Sequence, residues 1–278
     1  MPIENTGIVS EADKELYDKE GYMILDSVIP QDMLEMLREE CSYYLGYFDS
    51  QMDTAGETVQ GINHRGKRYF ISNRYRYSTR MHQFIFSELM AEICLATLGK
   101  DACLIHEQWV IKGADKGMKF GWHQDSGYLK SGDKNTKHKP YLSCWCPLDD
   151  VNEENGSVYL LPHSRGGTTH KIFDHEREEG SNDLIGYKGD DPGIAIEAPA
   201  GSVIAFTSLN FHRSGSNSTD KMRRVYLPQY SCEPITHSET GELTHLRVPF
   251  IENGELVYDH ANDRAENWGG AEPPFKLE

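Results

Sequence analysis

Between Cys103 and Ser231 the chain divides into eight short apolar runs, at 103–112, 119–125, 141–148, 157–162, 193–198, 202–207, 210–214 and 223–231, each closed by turn-forming residues. Runs of this length, rich in β-branched and aromatic residues, read as strands. Eight in succession after an α-rich start point to a jelly roll or barrel with helices packed outside it. Asn155-Gly156, between two of the runs, carries a hairpin-type turn signal. Two connections, the polar, lysine-rich 126–140 and the acidic 163–192, are long enough for lids or binding segments.

Upstream, Ser10 and Asp13 form a capping signal for a helix ending near Gly21, and Tyr22–Val28 reads as a strand. Pro30 suits the first turn of a second helix, whose Met33, Leu34, Leu37, Cys41, Tyr44 and Leu45 share one face. A third helix fits His82–Leu98, with Gly99 as its stop. The expected fold is therefore α+β, mainly β, with a double-stranded β-helix core of the jelly-roll or cupin type. No repeat or linker interrupts the 278 residues, so we expect one domain: a helical part over 1–100, the jelly roll over 101–232 and an extension over 233–278.

Net charge narrows the partners. Twenty-eight basic and 44 acidic residues give −16, which disfavours nucleic acid and anionic membranes, because both need positive surface potential. A basic stretch followed by an apolar run is missing from the first residues, and nowhere do ~18 apolar residues run together. The six cysteines lie in apolar contexts without a metal or redox spacing, and read as reduced core thiols of a cytoplasmic protein. A small-molecule substrate and a monomer or homodimer are the expectation.

His123 and Asp125, two apart on an expected strand, project to one side and can meet one metal ion. His212 comes 89 residues later, after the apolar run 202–207, and Arg223 11 residues after that. Two histidines and one carboxylate on one face of an ion form the triad of non-haem Fe(II) oxygenases. The zinc-protease HExxH helix is missing.

On these residues the chain resembles the phytanoyl-CoA dioxygenase family of Fe(II)/2-oxoglutarate-dependent oxygenases. The matching stretches are GYMILDSVIP, WHQDSGY, SCWCPLDDVNEENGSVYLLPHS, GSVIAF and FHRSGSNSTDKMRR, which together cover most of residues 10–232. One departure is LPHS where the family usually has LPGS. The resemblance implies that His123, Asp125 and His212 bind Fe(II) and that Arg223 clamps the distal carboxylate of 2-oxoglutarate, assisted by Ser214. Gln108 and Trp145 fall where the family lines the co-substrate pocket. Retention of Asp125 implies oxygenation, since related halogenases replace this carboxylate with a small residue. Hydroxylation is the leading reaction, with O₂ as oxidant, succinate and CO₂ as co-products and ascorbate as supporting reductant. Desaturation or ring formation, a 2-oxoglutarate-independent metalloenzyme and a silent binding module are the alternatives.

The substrate side offers less. Residues 65–80 contain Arg65, Lys67, Arg68, Arg74, Arg76 and Arg80 with no acid, a local +6 in an acidic chain. Two readings compete: a solvated face that offsets nearby acids, or a pair, Arg74 and Arg76, that reaches the pocket mouth and holds an anionic substrate. Ser126 and Tyr128 directly follow the metal motif and are expected to wall the substrate site. His138 and His163 read as ordinary loop histidines, and the tail, with Trp268, packs over the barrel or mediates self-association.

Overall fold

Period-two alternation of apolar side chains builds two facing antiparallel sheets in the computed structural model, which describes residues 3, 6–114 and 117–263. The strands that matter here are β1 (Tyr22–Leu25), β2 (Arg68–Ser72), β3 (Ala102–Lys112), β4 (Phe120–His123), β5 (Leu142–Pro147), β6 (Val158–Leu161), β7 (Ile194–Ala195), β8 (Val203–Thr207), β9 (Phe211–Ser214), β10 (Arg223–Ser231) and β11 (Val248–Glu252). The larger sheet runs β1-β8-β5-β10-β3-β2 and continues into two short strands at 59–60 and 63–64, while β11 docks on the far end of β3. The smaller sheet runs β7-β6-β9-β4. Together they are the expected jelly roll.

Each face of the larger sheet has its own partner. Trp109, Ile111, Cys144, Cys146 and Tyr226 point outward into an apolar core shared with the helices, whereas Val110, Trp145, Val225 and Leu227 point inward toward the smaller sheet. The helices are α1 (Glu11–Glu20), α2 (Gln31–Ala55), α3 (Met81–Ile85) and α4 (Glu88–Thr97) outside the sheets, α5 (Asp125–Gly132) after β4 and α6 (His163–Gly166) after β6. Ser10 and Asp13 form a reciprocal capping box on α1, and Gly21 at φ 82° closes it. The apolar stripe of α2 continues past Leu45 through Phe48 and Met52, so the helix reaches Ala55. The helix expected over 82–98 is broken at Ser87, an extended residue whose hydroxyl caps α4 by accepting from the Met90 amide.

Other differences also have local causes. Asn155-Gly156 does not close a hairpin, because β5 and β6 belong to different sheets and the connection crosses between them. Gly156 is nonetheless required: it sits at φ +78°, and a Cβ there would approach the Gly215 carbonyl to 2.6 Å. The 126–140 connection contains α5, and 163–192 contains α6 and a two-stranded ribbon of Glu176–Arg177 with Leu184–Ile185. His163, the departure in LPHS, is buried with its Nδ1 2.7 Å from the Thr168 hydroxyl. All six thiols are free and five are buried. Before residue 264 the tail packs back, with the His260 ring stacked on His82 at 3.8 Å; Trp268 lies outside the described residues. None of the described helices is long and apolar enough to cross a membrane.

Candidate active site

The register of two strands brings the distal halves of the motif together. β4 and β9 pair antiparallel with His123 opposite His212, placing the ring centroids 4.0 Å apart. Asp125 arrives differently from the expectation. The strand ends at His123, and Gln124 turns inward, buried, with its amide group bonded to the carbonyls of Lys171 and Leu209 and to the Phe173 amide. Asp125 is then the first residue of α5, and its Oδ1 stands 3.7 Å from His123 Nε2 and 3.4 Å from His212 Nε2. A buried turn, in place of strand alternation, aims the carboxylate.

Both imidazoles are oriented from behind. His123 Nδ1 lies 2.9 Å from the Gly121 carbonyl and His212 Nδ1 3.2 Å from that of Asn210, so each Nδ1 carries the proton and each Nε2 presents a lone pair to the centre. Burial and the neighbouring His212 hold His123 well below the usual imidazole range, which keeps it neutral. Asp125 Oδ2 accepts from the Ser143 hydroxyl at 2.6 Å and from Gln229 Nε2 at 2.9 Å, leaving Oδ1 for the centre. Burial alone would raise this carboxyl, but the two histidines and Ser143 outweigh it and hold Asp125 below the carboxylate range. One donor atom from each of the three residues lies within 4.8 Å of the others. Two imidazole nitrogens and one carboxylate oxygen suit a divalent ion bound on one face.

Inward-facing residues of the larger sheet form rungs along a cavity of about 300 Å³. At one end Arg223, Lys112 and Arg68 stand opposite one another; next come Val225, Val110 and Phe70, then Leu227, Gln108 and Ser72, and last Gln229 with His106 and Ser143 on either side. The metal triad faces the last rung through Asp125. At the other end three buried cations meet one carboxylate: Arg68 makes a two-pronged pair with Asp183, at 3.0 and 2.7 Å. Lys112 donates to the carbonyls of Met118 and Gly215, and burial together with Arg223 and Arg68 holds its amine well below the lysine range.

Arg223 is the group left over. Its guanidinium is 1% exposed, donates to the carbonyls of Val110 at 3.1 Å and Gly156 at 3.2 Å, and lies over the Trp145 ring at 5.4 Å. Its Nε has no hydrogen-bond partner, and among the described residues no carboxylate lies within ion-pair distance. Burial drags it down to about 9, far from the ordinary guanidinium value. A buried cation with an orphaned donor is the complement of a missing anion. Arg224 faces the other way, onto Asp149.

Of the other expected residues, Gln108, Trp145 and Ser214 line the cavity, with Arg223 buried directly behind Val110 and Trp145. Tyr128 also lines it, edge-on to His123 at 5.5 Å. Ser126 does not: it is buried beneath, bonded to Ser208 and to His138. Arg74 and Arg76 are outside the lining as well, contrary to the expectation that they reach the pocket mouth. They flank Tyr75 on a 3₁₀ turn, where Arg76 pairs with Asp263 and the Arg74 amide bonds Glu107. Arg65 and Arg80 likewise meet Asp53, Glu39 and Glu40, so with the Arg68–Asp183 pair four of the six basic residues of the segment are answered by acids from elsewhere in the chain. Ser143, Gln229, His106 and His245 complete the site and were not anticipated. Alternation from Trp145, Arg223 and Gln108 exposes the first three; His245 sits in a loop and has no such signal.

The family model described as phytanoyl-CoA dioxygenase (PhyH) matches residues 17–225. Mouse peroxisomal phytanoyl-CoA dioxygenase is 19% identical over 91% of this chain and 78% of its own. Among solved structures, EvdO2 of Micromonospora carbonacea var. aurantiaca complexed with 2-oxoglutarate superposes with a TM-score of 0.64 at 21% identity, over 87% of this chain and 97% of its own. SnoK, a non-haem α-ketoglutarate-dependent carbocyclase from nogalamycin biosynthesis, gives 0.63 at 15% identity, over 93% and 96%.

Proposed function

The chain belongs to the phytanoyl-CoA dioxygenase family, and from that premise we propose that it hydroxylates a C–H bond of a small molecule at the expense of 2-oxoglutarate and O₂. It is an Fe(II)/2-oxoglutarate-dependent oxygenase, with His123, Asp125 and His212 as the residues that would hold the iron. When bound, iron supplies the oxidising chemistry in which substrate C–H, 2-oxoglutarate and O₂ become C–OH, succinate and CO₂. The chain's own part is to bind, orient and exclude. Arg223 receives the distal carboxylate, because a guanidinium fork matches two oxygens and a buried one gains most from them. Ser214, Gln108 and Trp145 line the same cavity, and Ser143 with Gln229 keep one Asp125 oxygen occupied so that the other is free to coordinate. Tyr128 borders the substrate space.

The observation that carries this reading is Arg223, a buried cation with an orphaned Nε that lies directly behind Val110 and Trp145, two walls of the cavity that holds the triad. Free thiols throughout suit a reducing compartment such as the cytoplasm. A substrate panel assayed by mass spectrometry tests the reading. Succinate and an oxygen-bearing product should appear together, dependent on O₂, supported by ascorbate and abolished in His123→Ala, Asp125→Ala and His212→Ala. Product formation without succinate, or persisting in those variants, contradicts it.

A further inference from the structure

Beyond the iron and co-substrate, the cavity has a second polar feature, at the end away from Arg223. His106, on the same rung as Gln229, and His245, from the loop before β11, both line it, with ring centroids 6.4 Å apart and planes at 79°. The loop holding His245 is fixed: the Leu246 amide donates to the Ile105 carbonyl at 3.0 Å, Leu246 is buried, and the Thr244 amide donates to Ile235 at 3.0 Å. His245 Nδ1 lies 3.0 Å from the Thr244 hydroxyl. Around the two rings the walls are Leu129, Tyr141, Leu227 and Tyr128.

We propose that His106 and His245 form the substrate-recognition pair of this cavity, binding an uncharged hydroxyl or carbonyl group carried on an apolar ring or chain. The proposal rests on the oxygenase reading above and adds the class of substrate. Geometry supports it in three ways. The co-substrate's distal carboxylate is matched at the Arg223 end, so substrate enters from the end where the histidines stand. Among the described residues that line the cavity the one guanidinium is Arg213, and it is spent on the Tyr159 ring, 3.6 Å away, and on the Pro192 carbonyl. None of the described lining residues is a lysine. An anionic group would therefore be buried beside two imidazoles without a formal counter-charge, which costs more than burying a neutral hydroxyl.

With Nδ1 of His245 taken by the Thr244 hydroxyl, its Nε2 is left for a ligand, and together with the His106 ring 6.4 Å away it can match the donor and acceptor sides of one hydroxyl, or His106 can donate to a carbonyl. Burial and the neighbouring His106 and His138 pull His245 down to about 4, so it stays uncharged at neutral pH. Neither Arg74 nor Arg76, which the sequence offered as an anion clamp, lines the cavity, and Arg76 pairs with Asp263.

Anaerobic protein loaded with Fe(II) and 2-oxoglutarate tests this by equilibrium dialysis with two probes that share one apolar ring system, 2-naphthol and 2-naphthoate. The naphthol should bind about tenfold more tightly or better, and His245→Leu and His106→Leu should each weaken it about tenfold, the worth of one buried hydrogen bond. His245→Asn, which keeps a donor, should recover most of the loss. Throughout, the visible band of the Fe(II)–2-oxoglutarate complex should be unchanged. Equal or tighter binding of naphthoate, no binding of either probe, or naphthol affinity untouched in both leucine variants overturns the pair. The wild-type comparison decides the sign even if a variant fails to fold. Absence of the band in wild-type protein strikes the oxygenase reading instead.

Discussion

A guanidinium without a carboxylate is an expensive thing to bury, and Arg223 is held that way by the fold around it. Its strand partner Lys112 and the next strand's Arg68 add like charge, and Asp183 is engaged by Arg68. Removing the charge while keeping the bulk should therefore separate stability from binding. Arg223→Met is expected to unfold at no lower temperature than wild type in the absence of ligand. In wild type, 2-oxoglutarate at about a hundred times its Kd should add about 2.7 kcal/mol of stability, and in the variant it should add nothing. Thermal unfolding of Fe(II)-loaded protein with and without the co-substrate checks both halves.

Glu107 gives a second expectation at this scale. Its carboxyl is buried under the amides of Arg74 and Tyr75, and burial pushes it up to about 7. Between the ordinary glutamate value near 4.5 and 7, the folded carboxyl keeps a proton that the unfolded one has released. Stability from this group is thus fully present below about pH 4.5, falls as pH rises, and is gone above about 7, a change on the order of 3 kcal/mol. Glu107→Gln cannot titrate. Denaturant midpoints should fall more steeply between about pH 4.5 and 7 in wild type than in the variant; equal slopes would place the proton elsewhere.

At the scale of elements, period and capping were enough to make the strands and outer helices legible. The eight runs from 103 to 231 are strands because their alternation lets one face meet the helices and the other the opposite sheet, as Cys144 and Cys146 against Trp145 illustrate. β2 escaped notice because its Arg68 is buried in spite of its charge, and a sequence read by charge assigns such a segment to the surface. α5 escaped because Gly127 and Gly132 disguise its turns, and with it the mechanism that aims Asp125. The three residues that could hold a metal ion were still identifiable, since a strand and a strand-plus-turn bring the same three together. His245 depends on a loop whose position is set by tertiary bonds to β3 and had no local signature. The Arg68–Asp183 pair ties β2 to the ribbon that flanks β4, so breaking it should loosen a cavity wall. Asp183→Asn is expected to cost about 3–5 kcal/mol, because it strands a buried cation; chemical denaturation measures it, and a cost under about 1 kcal/mol, the range of an exposed pair, would contradict the assignment.

For the whole molecule, the net charge of −16 conceals a division of labour. The basic segment 65–80 is a hub: Arg65 reaches α2, Arg68 the 181–183 turn, Arg76 Asp263 near the end of the described chain, and Arg80 α2 again. Positive charge concentrated there stitches distant parts of the chain together, while Arg223, with no acid within ion-pair distance among the described residues, lies behind the cavity walls Val110 and Trp145. If Fe(II) and 2-oxoglutarate together complete this cavity, anaerobic titration followed by visible absorption will show it. One equivalent of 2-oxoglutarate should produce a weak charge-transfer band only when Fe(II) is present, lost in His212→Ala and displaced to far higher co-substrate concentration in Arg223→Met. No band in the wild-type protein with both components present would contradict the account.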